Sequence, residues 1–178
     1  VLCFLAVALD GFDTAIIGFI ATSLVQEWGI EKTSLGPVMS AALVGLAVGA
    51  LAAGPLADRI GRKKVLVISL LLFGGFSLLT AFAGSLSTLT LLRFLTGLGL
   101  GAAMPNAATL MSEYAPQRCR ALMVNLMFCG FPLGSSLGGF SSAWLIPHFG
   151  WQSVMVLGGV MPLLLALVLI AALPESAR

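Results

Sequence analysis

Charge is what this sequence has least of. Of its 178 residues, 9 are Lys or Arg and 7 are Asp or Glu, so 9% is charged and the net charge is +2. A water-soluble domain carries roughly 25% charged residues, whereas here the hydrophobic share is 59%, which excludes an ordinary soluble domain. So small a net charge gives no electrostatic footprint for nucleic acid. Cysteine is scarce too: Cys3, Cys119 and Cys129 show neither metal-ligand spacing nor a disulfide framework, and no redox role follows. No nucleophile, metal cluster or cofactor constellation marks an enzyme, so neither a metal nor a cofactor is expected.

What the sequence has in abundance is long apolar runs. A helix rises about 1.5 Å per residue, so ~20 apolar residues cross a ~30 Å hydrocarbon core. Residues 33–57, 65–92, 94–112 and 121–174 contain no charge, and the last run breaks at Pro147-His148-Phe149-Gly150. The expectation is an all-α integral membrane bundle of six spans, at 1–25, 35–56, 65–84, 89–111, 121–146 and 151–173. The first run is not a cleaved signal, because Asp10 and Asp13 interrupt it and no A-x-A site follows. Without an initiating Met, and ending just past the sixth span, the chain reads as a piece of something longer.

The few basic residues are sorted by loop. Arg59, Arg62, Lys63 and Lys64 lie in the second loop, Arg118 and Arg120 in the fourth, and Arg178 after the last span. The first loop has Lys32 against Glu27 and Glu31, and the third and fifth have no basic residue. Lys and Arg are retained on the cytoplasmic side, so both ends of this segment are expected in the cytoplasm of a multi-pass inner-membrane protein. Trp28, Trp144 and Trp151 then fall at the outer interface, as an aromatic belt requires.

Residues 54–64 read G-x-x-x-D-R-x-G-R-K-K and place four of the nine Lys and Arg residues in a tight turn. Gly54 and Gly61 let the backbone turn, Asp58 can pair or cap, and Arg59, Arg62, Lys63 and Lys64 orient the protein.

A shift of 89 residues lays Gly45 on Gly134, Gly49 on Gly138, Gly61 on Gly150 and Val65 on Val154. The expected repeat units, about 1–84 and 89–173, each hold three spans. An odd number of crossings inverts the second copy, giving a 3+3 inverted repeat. Topology accounts for the divergence between the two turns: 58–64 is charged and cytoplasmic, whereas 147–153 is external and nearly uncharged.

Asp10 and Asp13 stand out in the first span. A carboxylate at mid-membrane costs on the order of 2.5–3.5 kcal/mol on insertion scales, so two within one turn call for a reason. At i and i+3 they share a face, and acids this close disfavour joint ionisation, which suits one of them to carry a proton. The other reading is a structural cap or pair with a neighbouring helix. Arg93 lies ~6–12 Å inside the outer boundary. It either snorkels there or pairs with Asp13 or an anionic substrate; the depth argues against a direct pair with Asp10. Asn106, after Pro105, either lines a cavity or bonds between helices, and Asn125 is likewise a polar residue within a span.

Gly97, Gly99 and Gly101 lack the spacing and the preceding strand of a nucleotide loop. Like Gly45/Gly49/Ala53 and Gly130/Gly134/Gly138, they suit close helix packing. Glu113, Arg118 and Arg120 read as solvated loop charges, and His148 as an external turn residue.

Taken together, these residues resemble the N-terminal six-helix half of a major facilitator transporter, across the whole chain. More narrowly the chain resembles the aromatic acid:proton symporters, through Leu9-Asp10-Gly11-Phe12-Asp13-Thr14, the stretch 54–64, 93–101, Met104-Pro105-Asn106, 112–116, 129–134 and 173–176. The antiporter signature has Gly-Pro followed two residues later by Gly-Gly, whereas Pro132 here follows Phe131, which argues against drug export. The resemblance implies a proton-coupled symporter importing a benzoate- or hydroxybenzoate-type anion, with lipid bilayer around it and a C-terminal six-helix half still to be supplied. It also implies that 54–64 acts as a conformational latch. Another ion-coupled facilitator, for sugar, other organic acids or phosphate, stays open, as does a membrane-embedded enzyme or a non-transporting membrane subunit.

Overall fold

The computed structural model describes residues 1–172; the motif at 173–176, Arg178 and the last residue of the sixth expected span lie outside the described residues. Helix α1 (Leu2–Trp28) stops at Gly29, whose left-handed backbone (φ 62°) ends the helical ladder. A 3-10 turn (Lys32–Leu35) leads into α2 (Gly36–Ile60), with Pro37 in its first turn, where a missing N–H costs nothing. Then come α3 (Arg62–Thr80) and α4 (Leu86–Tyr114), the latter capped by Ser85, whose hydroxyl accepts the Thr88 N–H at 3.2 Å. The chain closes with α5 (Arg120–Phe128), α6 (Gly130–Phe149) and α7 (Trp151–Ala172). With α5 and α6 counted as one crossing, 6 segments are long and apolar enough to span a membrane, and no strand occurs among the described residues.

Two expectations change. The basic stretch is not a loop: Asp58 and Arg59 finish α2, Arg62, Lys63 and Lys64 begin α3, and Gly61 alone makes the turn. Its φ of 96° with ψ of 143° is a conformation that a Cβ disfavours strongly, so one glycine reverses the chain without a loop. The fifth span is also broken, at Cys129, into α5 and α6. Pro132 has no N–H for the Phe128 carbonyl, and Gly130 lies so close to α1 that a Cβ there would stand 2.7 Å from the Phe4 carbonyl oxygen.

Glycine contact sets the packing. Gly45 and Gly49 on α2 rest against the Phe94 and Leu98 carbonyls of α4, and Gly97 and Gly101 on α4 rest against the Ala42 and Leu46 carbonyls of α2. Gly99 turns the other way, onto Ser69 and Phe73 of α3. On the other flank, Gly134 meets the Ala8 carbonyl, Gly138 that of Phe12, and Gly11 that of Phe131. Without side chains between them the backbones approach closely, which is how helices adhere where no hydrophobic effect drives them together.

These two sets of contacts map onto one another. A shift of 89 carries Ala42, Gly45 and Gly49 to Phe131, Gly134 and Gly138, while a shift of 86 carries Ala8, Gly11 and Phe12 to Phe94, Gly97 and Leu98. The single shift read from the sequence therefore misaligns the first and fourth spans by three residues, because the α4–α6 connection is longer than the α1–α2 one. Gly150, with φ 80° and ψ 169°, repeats the turn made by Gly61.

Two apolar clusters fill the bundle. One joins Val7, Leu66, Leu70, Phe73, Leu110 and Leu169; the other joins Ile16, Ile20, Leu24, Leu89, Trp151 and Met155. At the second end, the Trp151 indole N–H donates to Glu27 Oε2 at 2.6 Å and its ring meets Trp28 edge-on at 6.2 Å, clasping α1 to α7. Burial is uneven. The spans Lys32–Ile60 and Arg120–Phe149 have 22% of their apolar windows buried, against 44–50% for the other four.

Candidate functional site

A cleft of about 140 Å³ opens between α1, α2 and α4, smaller than the roughly 300–1,000 Å³ of a complete small-molecule site. Ile17, Met39, Leu43 and Leu46 give it apolar walls, and Asp13, Thr14, Arg93 and Thr96 are its polar lining. Thr14 is exposed on the open side; Asp13, Arg93 and Thr96 are buried behind it.

Asp13 and Arg93 form an ion pair, Nη1 to Oδ2 at 3.0 Å, with side-chain exposures of 3% and 1%. Because α1 is long, a residue four turns back from its C-terminal end stands level with one two turns into α4. Helices outside the cleft complete the pair. The Ser77 hydroxyl of α3 donates to Asp13 Oδ1 at 3.4 Å, and Arg93 Nη2 points at the Met155 sulfur of α7, a weak acceptor. Arg93 Nε has no hydrogen-bond partner among the described residues. The guanidinium is thus committed on one edge and only loosely occupied on the other.

Asp10 is 3% exposed, its Oδ1 has no partner among the described residues, and Arg93 is held by Asp13. The two acids of one motif therefore sit in unlike environments. Asn106 is not part of this cluster: it is buried and its amide donates to the Ala102 carbonyl of its own helix at 2.7 Å. Among the described residues no group of three or more His, Cys, Asp or Glu comes together.

At the opposite end, Arg62 Nε meets Glu113 Oε1 at 3.2 Å, tying the start of α3 to the end of α4. Both side chains are about a third exposed (26% and 36%), so the pair contributes under about 1 kcal/mol. The sequence reading of Glu113 as merely solvated misses this contact. Asp58 and Arg59 are exposed, as is Gly54, beside whose backbone a Cβ would meet nothing.

Sequence reasoning also misses Thr14, Thr96, Ser77 and Met155. Ser69, Ser77 and Thr80 recur on the buried side of α3, which is a signal for an inward polar stripe. Met155 gives none, since a methionine in an apolar helix reads as packing.

Comparison with known proteins agrees with this geometry. The Major Facilitator Superfamily family model matches residues 3–178. The 4-hydroxybenzoate transporter PcaK of Pseudomonas putida is 66% identical over 177 residues, covering 99% of this chain and 40% of the relative. The gallate transporter of Pseudomonas putida is 60% identical, covering 100% of this chain and 40% of the relative. The 3-(3-hydroxy-phenyl)propionate transporter of Escherichia coli K12 is 45% identical, covering 99% and 43%. The chain thus spans about 40% of the length of the curated relatives it matches. Among solved structures, the inward-open xylose transporter XylE from E. coli superposes with a TM-score of 0.86 at 22% identity, over 98% of this chain and 47% of that one. The family and these relatives are transporters rather than enzymes, the relatives carrying aromatic acids. A helical bundle with glycine-matched flanks and a buried ion pair behind an apolar cleft is accordingly one of theirs: the chain belongs to the Major Facilitator Superfamily.

Proposed function

We propose that this chain is the N-terminal half of an inner-membrane carrier that imports an aromatic carboxylate together with a proton. The observation that carries the reading is the buried Asp13–Arg93 pair beside an apolar cleft, in a chain 60–66% identical to transporters of 4-hydroxybenzoate and gallate. The walls formed by Ile17, Met39 and Leu43 suit an aromatic ring, and among the described residues Arg93 is the one cation lining the cleft.

Coupling follows from charge counting. One guanidinium cannot neutralise both Asp13 and a substrate carboxylate in a low-dielectric site, where an uncompensated charge is costly. Substrate engages Arg93 when one proton neutralises Asp13, taken up there or passed on by Asp10, so one proton and one anion enter together. The open faces of α2 and of α5–α6 receive a second six-helix half, which closes the cleft from the other side. Both ends of this half face the cytoplasm. The stretch 54–64 and its Arg62–Glu113 contact bias the inward- and outward-facing states rather than touch substrate. Lipid bilayer surrounds the rest.

The test is uptake of a panel of labelled aromatic acids by cells expressing the full-length protein, with and without a protonophore. Accumulation of a hydroxybenzoate-type acid that the protonophore abolishes supports the reading. Indifference to every aromatic acid, with transport of a sugar or of phosphate instead, refutes it.

A further inference from the structure

Thr14 is the polar residue on the open side of the cleft. Asp13 and Arg93 lie buried behind it and are bonded to each other, and Thr96 is buried as well. Thr14 follows Asp13 directly, so it stands about 100° further round α1 and lines the same cleft from its exposed side.

Its hydroxyl is oriented. Thr14 Oγ1 donates to the Asp10 carbonyl one turn back at 2.9 Å, a bond that helical threonines readily make within their own helix. A hydroxyl has one hydrogen and two lone pairs. With the hydrogen committed inside the helix, the oxygen turns lone pairs to the cleft. A carboxylate has only lone pairs of its own, so it gains nothing from Thr14 and is directed to Arg93. A phenol brings an O–H, and Thr14 is an acceptor for it. That match counts in an apolar cleft, where a donor without an acceptor is costly. Ile17, Met39 and Leu43 make the surrounding walls apolar. A ligand that satisfies the cleft therefore carries an anionic group for Arg93, an apolar body for the walls and a hydrogen-bond donor for Thr14.

We propose that Thr14 accepts a hydrogen bond from a ring hydroxyl of the substrate, and so makes the carrier select hydroxylated aromatic acids over benzoate itself. The proposal rests on the reading of the chain as half of an aromatic-carboxylate carrier, and adds to it the residue that reads the ring. The substrate lies with its carboxylate inward on Arg93 and its hydroxyl outward on Thr14. The phenol keeps its proton, so this bond sets preference and leaves coupling to the acids. A neutral hydrogen bond changes affinity by about two- to twelvefold.

The experiment is uptake of labelled 4-hydroxybenzoate by the full-length protein in proteoliposomes, competed by unlabelled 4-hydroxybenzoate, benzoate or 4-fluorobenzoate. The fluoro compound fills the para position but has no hydrogen there to donate. For the wild type, 4-hydroxybenzoate inhibits at a concentration about two- to twelvefold lower than the other two. Thr14→Val keeps the branched shape without the hydroxyl, and removes the difference by weakening 4-hydroxybenzoate alone. Thr14→Ala repeats the test without the branch, and Thr14→Ser, which restores the oxygen, recovers the preference. Thr22→Val takes another helix-bonded hydroxyl from the exposed surface of α1, away from the cleft, and leaves the preference at the wild-type value. Three results each overturn the proposal: 4-fluorobenzoate as potent as 4-hydroxybenzoate on the wild type, an unchanged preference in Thr14→Val and Thr14→Ala, or an equal loss for all three acids in those variants, which would place Thr14 on the carboxylate. A wild type that carries no aromatic acid refutes the parent reading and this proposal with it; in the other three results wild-type transport is intact and only this proposal fails.

Discussion

Breaking the Asp13–Arg93 pair should cost more than removing it. The two side chains are 3% and 1% exposed and 3.0 Å apart, so solvent screens neither. Among the described residues, Asp13→Asn leaves the guanidinium with only the Met155 sulfur, and Arg93→Gln leaves the carboxylate with only the Ser77 hydroxyl at 3.4 Å. A buried charge stripped of its partner costs about 3–5 kcal/mol, whereas replacing both partners with neutral groups is often close to neutral. Each single variant of the full-length protein should therefore lose at least about 3 kcal/mol in unfolding experiments in detergent micelles, and Asp13→Asn/Arg93→Gln should lose less than either single. A double variant that loses the sum of the two singles would refute the reasoning, because independent sites add and coupled ones do not.

Asp10→Asn should leave stability unchanged or raise it, since Asp10 makes no ion pair among the described residues and its buried Oδ1 has no partner there; a loss as large as that of Asp13→Asn in the same unfolding assay would contradict this. Gly134→Ala should destabilise by about 1–3 kcal/mol through collision with the Ala8 carbonyl, whereas Gly18→Ala, where a Cβ meets nothing, should gain up to about 1 kcal/mol of helix propensity, both read from unfolding midpoints. Gly61→Ala and Gly150→Ala should each cost about 1–3 kcal/mol in the same assay, because both positions hold a positive φ that a side chain strains. An impermeant thiol reagent applied from outside should label a cysteine introduced at Pro147 and spare one at Arg62; the reverse pattern would invert the proposed topology.

Crossing number was legible because hydrocarbon thickness and apolar run length share one ruler, and the runs are bounded by charge. Helix ends were less so. Arg62, Lys63 and Lys64 look like loop residues by charge, yet Gly61 alone completes the turn and the backbone is helical again at Arg62. The α5–α6 break needed two local facts at once, the N–H missing at Pro132 and the contact of Gly130 with Phe4. Depth argued against a pair between Arg93 and Asp10 but left Arg93 to snorkel or to pair with Asp13 or an anionic substrate; the structure pairs it with Asp13. The pair's completion by Ser77 and Met155 was not legible, because those helices approach the pair from outside the cleft and a hydroxyl or thioether in an apolar helix is unremarkable by composition. Asn106 shows the opposite failure: an amide beside a proline looked available for a cavity, but its own helix supplies an acceptor at Ala102.

The central claim is that substrate and proton are coupled through the acids beside Arg93. It is tested most directly in proteoliposomes containing the full-length protein, by uptake of labelled 4-hydroxybenzoate under an imposed pH gradient and, separately, by counterflow without one. Wild type should do both. Asp10→Asn/Asp13→Asn should lose gradient-driven accumulation and keep counterflow, since exchange needs no proton return. Accumulation at the wild-type level in that double variant would contradict the account, showing that the carboxylates are structural and that coupling lies elsewhere.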